Sequence, residues 1–136
     1  MLDAAVGTPK SDERSWRLAR EAAGAITDTF LGGGVAAVLV EGRFFAAERA
    51  ELLKGVHSDV VRRFVTLRIS YDEALRRAQT DPTRGASRDP EFLRPYFLGV
   101  ERDMASVPDT DLVLDTELLD LDRCVAEVIG FVRRPD

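Results

Sequence analysis

Three short aliphatic runs, separated by segments of helical periodicity, constrain the fold of this chain more than any other feature. The first is Val35-Ala36-Ala37-Val38-Leu39-Val40. The second lies within residues 63–69, around Phe64, Val65, Leu67 and Ile69. The third is Leu112-Val113-Leu114. A continuous aliphatic run of strand length suits a parallel sheet, whose strands are buried on both faces. Strands alternating with helices imply an α/β domain joined by right-handed crossovers.

The intervening segments carry helix signals. Ser11 reads as an N-cap, Asp12 and Glu13 fill the first turn, and Trp16, Ala19, Ala23, Ile26 and Phe30 recur on one face. The run Gly32-Gly33-Gly34 stops that helix. A second helix is expected over residues 44–54. Ser70 and Glu73 have capping-box spacing and open a third, through Ala78. Residues 80–89 form a polar loop. Asp89 then Pro90 read as N-cap and first helical residue, and Pro95 predicts a kink or a restart. Asp120 opens the last helix, with Leu121, Cys124, Val125, Val128 and Val132 inward and Pro135 beyond its end. Residues 1–10 are irregular, and residues 11–136 read as one domain, large enough to bury a core without staples.

Composition excludes several functions. One cysteine, Cys124, rules out an intrachain disulfide or a cysteine metal cluster, and one histidine, His57, rules out a His-pair zinc site. A formal net charge of −5 argues against general nucleic-acid or anionic-membrane binding, which relies on Lys and Arg. The first ten residues lack a signal-peptide core, and no apolar run approaches the ~20 residues that cross a bilayer. A cytoplasmic protein is expected.

In an open parallel sheet, ligands bind beyond the carboxyl ends of the strands. That rule selects Glu41-Gly42-Arg43, Ser70-Tyr71-Asp72 and Asp115-Thr116-Glu117. Glu41, at a strand end, is placed to hold a hydrated magnesium ion or to take a proton from a hydroxyl; its bland alternative is a solvated acid or a helix cap. Arg76, Arg77, Arg84 and Arg88 suit phosphate oxygens, or else a solvated face with partners such as Asp72 and Glu73. Gly32-Gly33-Gly34 is not a phosphate cradle. A cradle runs strand, glycines, helix, whereas here the order is helix, glycines, strand, and the chain has no Gly-Lys-Ser or Gly-Lys-Thr. His57 reads as a surface residue and Cys124 as a small buried hydrophobe.

Taken together, these segments resemble the small P-loop kinases of the nucleoside-monophosphate-kinase group, in particular the shikimate-kinase-like and chloramphenicol-phosphotransferase-like branches. Residues 35–40 running into Glu41-Gly42 look like the Walker-B strand. Val65 to Ser70, followed by Asp72-Glu73-Ala74-Leu75-Arg76-Arg77, resembles the strand and helix leading to the lid. Residues 81–90 resemble the lid itself, set at about 79–90, and Asp111 to Thr116 the last core strand. The resemblance implies a three-layer α/β/α, P-loop NTPase-like fold binding ATP and Mg2+. It would place Glu41 beside the magnesium and the acceptor, Arg77, Arg84 and Arg88 on nucleotide phosphates, and Asp115 and Thr116 beside the base.

One departure dominates. The first strand, the Walker-A loop and the first helix of such kinases have no counterpart in this sequence, so the chain alone should bind nucleotide weakly or not at all. In the family that strand also sits mid-sheet. Without it, the strands expected at 35–40 and 63–69 must pair directly, leave a gap or accept a strand from another chain, and an exposed edge predicts self-association or a partner segment. Two functions follow: a kinase-like phosphotransferase completed by another segment, or a non-catalytic binding or assembly module. The acceptor is a small molecule of unread identity.

Overall fold

The computed structural model describes residues 12–105, 107–108 and 111–135, so Ser11 and residues 1–10 lie outside the described residues. Helices and a small parallel sheet make this an α/β protein. The chain forms two compact units that divide between Val60 and Val61.

Among the described residues, the first unit holds a pair of helices. Helix α1 (Glu13–Gly32) starts at Asp12, whose carboxylate accepts from Ser15 N at 2.9 Å. It ends in a Schellman motif: Val35 N donates to Phe30 O at 3.1 Å and Gly34 N to Leu31 O at 3.0 Å. That geometry needs the left-handed φ of +90° at Gly34, which glycine adopts without strain. The glycine run is therefore a helix stop. Helix α2 (Ala46–Leu53) begins at Phe45, which has no side-chain acceptor. Glu48 reaches back instead, and takes the Phe45 N–H at 3.2 Å.

Glycine also sets the distance between these helices. A Cβ on Gly24 would stand 2.0 Å from Leu52 O, and one on Gly55 would stand 2.5 Å from Ala25 N. Backbone meets backbone there, and Ala23, Leu52 and Val56 bury around the contact. Arg20 links the helices by an ion pair to Glu51 at 2.5 Å and also meets Glu13. Asp28 closes the far end, accepting from Ser58 N and Ser58 Oγ, both at 2.7 Å, and from His57 N at 2.9 Å. The inward face of α1 is thus centred on Ala23 and Gly24. Ile26 and Phe30, expected inside, are half exposed. Close approach requires the smallest side chains in the contact, which rotates the larger ones out.

Residues 35–40 correct the sequence expectation most sharply. They form no strand; Val35 is exposed and Leu39 is 91% exposed. A strand exists by virtue of a ladder. Among the described residues of this unit the regular elements are helices and none offers a ladder partner, while Ala36 and Ala37 lower the intrinsic preference for extended structure.

The second unit holds the sheet. Strand β1 (Val65–Arg68) leads to helix α3 (Tyr71–Thr80), a 3-10 turn (Ala86–Arg88), helix α4 (Pro90–Met104), strand β2 (Leu112–Asp115) and helix α5 (Leu121–Val132). The strands pair in parallel, Val65 with Leu112 through Arg68 with Asp115. Ser70 Oγ caps α3 at Glu73 N, Asp89 caps α4 at Glu91 N, and Asp120 caps α5 at Arg123 N. Helix α4 runs through Pro95 without a restart. Tyr71 packs edge-on to Phe97 at 5.7 Å, with the Arg94 guanidinium 4.5 Å from its ring centre.

Leu114, Leu93, Ala78 and Phe131 are the buried hydrophobic residues of this unit. On α5 the inward face is Cys124, Val128 and Phe131. Leu121, Val125 and Val132, also expected inside, are exposed, because Phe131 takes the place against the unit and turns them outward.

Candidate functional site at the carboxyl ends of the strands

Because β1 and β2 run parallel and in register, both end at the same edge. The paired terminal residues are Arg68 and Asp115. The Arg68 guanidinium donates twice to Asp115 Oδ2, at 3.1 and 3.0 Å. Beyond β2 the chain turns back over Asp115, which accepts from Glu117 N at 3.0 Å. The Glu117 amide first, then Arg68, holds the Asp115 carboxyl below its ordinary value.

The turn places Glu117 against the start of α3. Its carboxylate accepts from Ser70 N at 2.7 Å and Ser70 Oγ at 3.0 Å. A helix N-terminus favours an anion, and here Glu117 supplies one from within the chain. Thr116 binds Arg68 O through its N–H and its hydroxyl, at 3.0 and 3.2 Å. In the last turn of α3, Arg77 spans the gap. It donates to Thr116 O at 2.8 Å and to Glu73 Oε1 at 2.6 Å.

Glu73 is the most perturbed acid of the group. Arg76, then Arg77, hold its carboxyl down to about 2. Arg76 reaches it through two bonds of 2.6 Å. A depressed carboxyl stabilises the fold above its unfolded value, and that contribution fades as pH falls through the folded value. Side-chain carbon shifts should therefore titrate Glu73 near pH 2 rather than at the ordinary 4.5. Arg76→Ala should raise that midpoint more than Arg77→Ala. A midpoint at 4.5 in the unsubstituted chain would refute the pairing.

Two depressions flank this edge. One, of about 340 Å³, is lined by Arg68, Ile69, Ser70, Asp115 and Glu117. The other, of about 240 Å³, is lined by Leu67, Arg77, Thr116, Leu119, Leu121 and Cys124. The first is polar. The second sets an apolar wall beside one guanidinium, and Cys124, half-buried, belongs to that wall.

Of the residues singled out from sequence, Arg77, Asp115 and Thr116 gather at this edge. Arg84 and Arg88 have local partners: Arg84 lies 3.5 Å from Asp81, and Arg88 exchanges long hydrogen bonds with Gln79. Helix α3 carries the chain about 15 Å from the Ser70 cap before that loop begins. The segment expected as a lid, residues 79–90, is the last two residues of α3, a turn, the 3-10 helix and the first residue of α4. Glu41 is exposed and stands in an irregular segment of the first unit, not at a strand end. Arg68 was missed by sequence reasoning. An arginine closing an aliphatic strand was the available signal, but its weight depends on a register that local pattern does not reveal.

No three His, Cys, Asp or Glu side chains gather as a cation site among the described residues. Asp115 and Glu117 are committed to Arg68 and Ser70, so the edge does not fit a magnesium ion as it stands. No helix among the described residues is long and apolar enough to cross a membrane. Scans of protein-family models, curated proteins and solved structures returned no match to this chain.

Proposed function

We propose that this chain is the base-side and lid-side portion of a kinase-like nucleotide-binding domain, inactive in phosphoryl transfer by itself. One observation supports the reading: the ends of two parallel strands bring Arg68, Arg77, Asp115 and Thr116 to one edge, beside an apolar depression. A purine would lie against Leu67, Leu119 and Leu121, with Arg77 toward the phosphates. By this reading the domain is three-layered and P-loop NTPase-like, with ATP and Mg2+ as its ligands and a small molecule as acceptor. Arg84 and Arg88 close on the phosphates from the lid, in a cytoplasmic setting.

Without a Gly-Lys-Ser/Thr cradle, affinity should be low, with Kd of about 1 mM or weaker. Titration of the full chain with magnesium-ATP, followed by amide shifts, tests this. Shifts should centre on Arg77, Thr116 and Leu119, and Arg77→Met should abolish them. Micromolar binding would overturn the role given to the missing cradle. Absence of shifts at saturating nucleotide would overturn the nucleotide reading.

A second reading has its own support. No side chain among the described residues is fully buried, and Leu67, Leu118, Leu121, Val125, Ile129 and Val132 are exposed in the second unit. So large an apolar surface is unusual for a free monomer and favours an assembly module.

A further inference from the structure

Helix α5 carries two apolar sectors, and the second unit covers one of them. Cys124, Val128 and Phe131 face inward. Leu121, Val125, Ile129 and Val132 recur at steps of four, four and three, and all are exposed, Leu121 at 76%. At 3.6 residues per turn these four fall within about 80° of one another, directly beside the inward sector. The stripe continues onto the sheet. Leu121 and Leu67 line the same depression, and Leu67 is 63% exposed. A helix laid along α5 would cover the stripe and Leu67 together.

The order of charge along α5 selects that helix. Asp122 lies in the first turn, and Arg133 is the C-cap. The two stand on the same edge of the stripe, about 20° apart around the axis. A second α5 laid antiparallel, with the two-fold axis at residue 127, sets Leu121 opposite the partner's Val132, Val125 opposite the partner's Ile129 and Asp122 opposite the partner's Arg133. One centre therefore serves the apolar pairs and the ion pair, and the two-fold repeats each of them. Antiparallel helices also bring opposite dipole ends together. A parallel copy would join the two ends carrying Asp120 and Asp122, and the two carrying Arg133 and Arg134, which like charges oppose. Every residue of this contact belongs to the second unit.

We propose that α5 pairs antiparallel with α5 of a second copy, through Leu121, Val125, Ile129 and Val132, as a two-fold dimer. This rests on the assembly reading above and is independent of nucleotide binding. One helix pair is small beside a standard interface of about 800 Å² per partner, so the dimer should be weak and concentration-dependent.

The test uses the full chain. Sedimentation from micromolar to millimolar chain should show the mass rising from 15.1 kDa toward twice that value. Arg133→Glu should weaken association roughly tenfold, because the two-fold loses two ion pairs and gains two repulsions. Asp122→Arg should do the same. The chain carrying both substitutions should recover the dimer, since the exchanged charges attract again across the two-fold, whereas damage to the helix itself would accumulate. In a Cys124→Ser background, Val125→Cys and Ile129→Cys chains are then mixed and oxidised. The disulfide-linked heterodimer should exceed either homodimer. A monomer at every concentration overturns the proposal. A dimer indifferent to the charge reversals, or one that yields mainly the disulfide homodimers, also overturns it while leaving the assembly reading in place.

Discussion

Gly24→Ala is expected to destabilise the first unit by about 2 kcal/mol or more, although alanine is the better helix former. In an open helix the same change stabilises by roughly 0.5–1 kcal/mol, because alanine loses less backbone freedom on folding. At Gly24 the new methyl would lie 2.0 Å from Leu52 O and 3.1 Å from Leu52 C. Those are backbone atoms and cannot rotate aside, so α1 and α2 must separate. Separation strains the Arg20–Glu51 pair and uncovers Ala23 and Leu52. The single tryptophan, Trp16, lies on α1, so its fluorescence during urea unfolding reports this unit. Gly32→Ala, at the last residue of α1, is the control, because a Cβ there meets nothing within 4 Å. If both substitutions raised the urea midpoint, the close approach of α1 and α2 would be refuted.

Leu114→Ala should cost the second unit about 2–3 kcal/mol. At 3% exposure Leu114 is the most buried hydrophobic residue described, and it sits in β2 one residue before Asp115. Truncation leaves a cavity beneath the strand that holds Asp115 and Thr116 in place. In a unit with so few buried side chains, that loss is a large share of a typical domain's stability. Both tyrosines, Tyr71 and Tyr96, lie in this unit, so near-UV dichroism of tyrosine follows its unfolding. Leu118→Ala, at a residue 79% exposed, should change the midpoint by less than about 0.5 kcal/mol. Equal effects from the two substitutions would mean that β2 is not the centre of this core.

Much of the local structure was legible in the residues. Ser70 with Glu73, Asp89 with Pro90, and Asp120 each open a helix where their side chains predict it. The glycine run ends α1 by the hydrogen bonds that a left-handed residue permits. Two of three aliphatic runs are strands, and the rule for strand carboxyl ends led to Asp115, Thr116 and Glu117. The alternative weighed for Arg77, a helical partner in Glu73, is also realised.

The rest required distant partners. Residues 35–40 have the composition of a strand, but a ladder depends on what lies alongside. The buried face of α1 depends on Gly24 meeting Leu52, and that of α5 on where Phe131 seats. Neither is encoded in a period of three and four. Arg68 gained its partner through a register connecting residues 47 apart.

By itself, the sequence determined where α3, α4 and α5 open and where α1 stops, which segments favour extended structure, and that no phosphate cradle of Gly-Lys-Ser/Thr type is present. Caps and turns are contacts across a few residues, and local chemistry specifies them. Tertiary structure alone decided which aliphatic runs became strands, which guanidiniums reached the strand ends, and that Glu117 occupies the N-terminus of α3. Those outcomes depend on which backbone groups find partners far along the chain, and a strand without a neighbour has none to find.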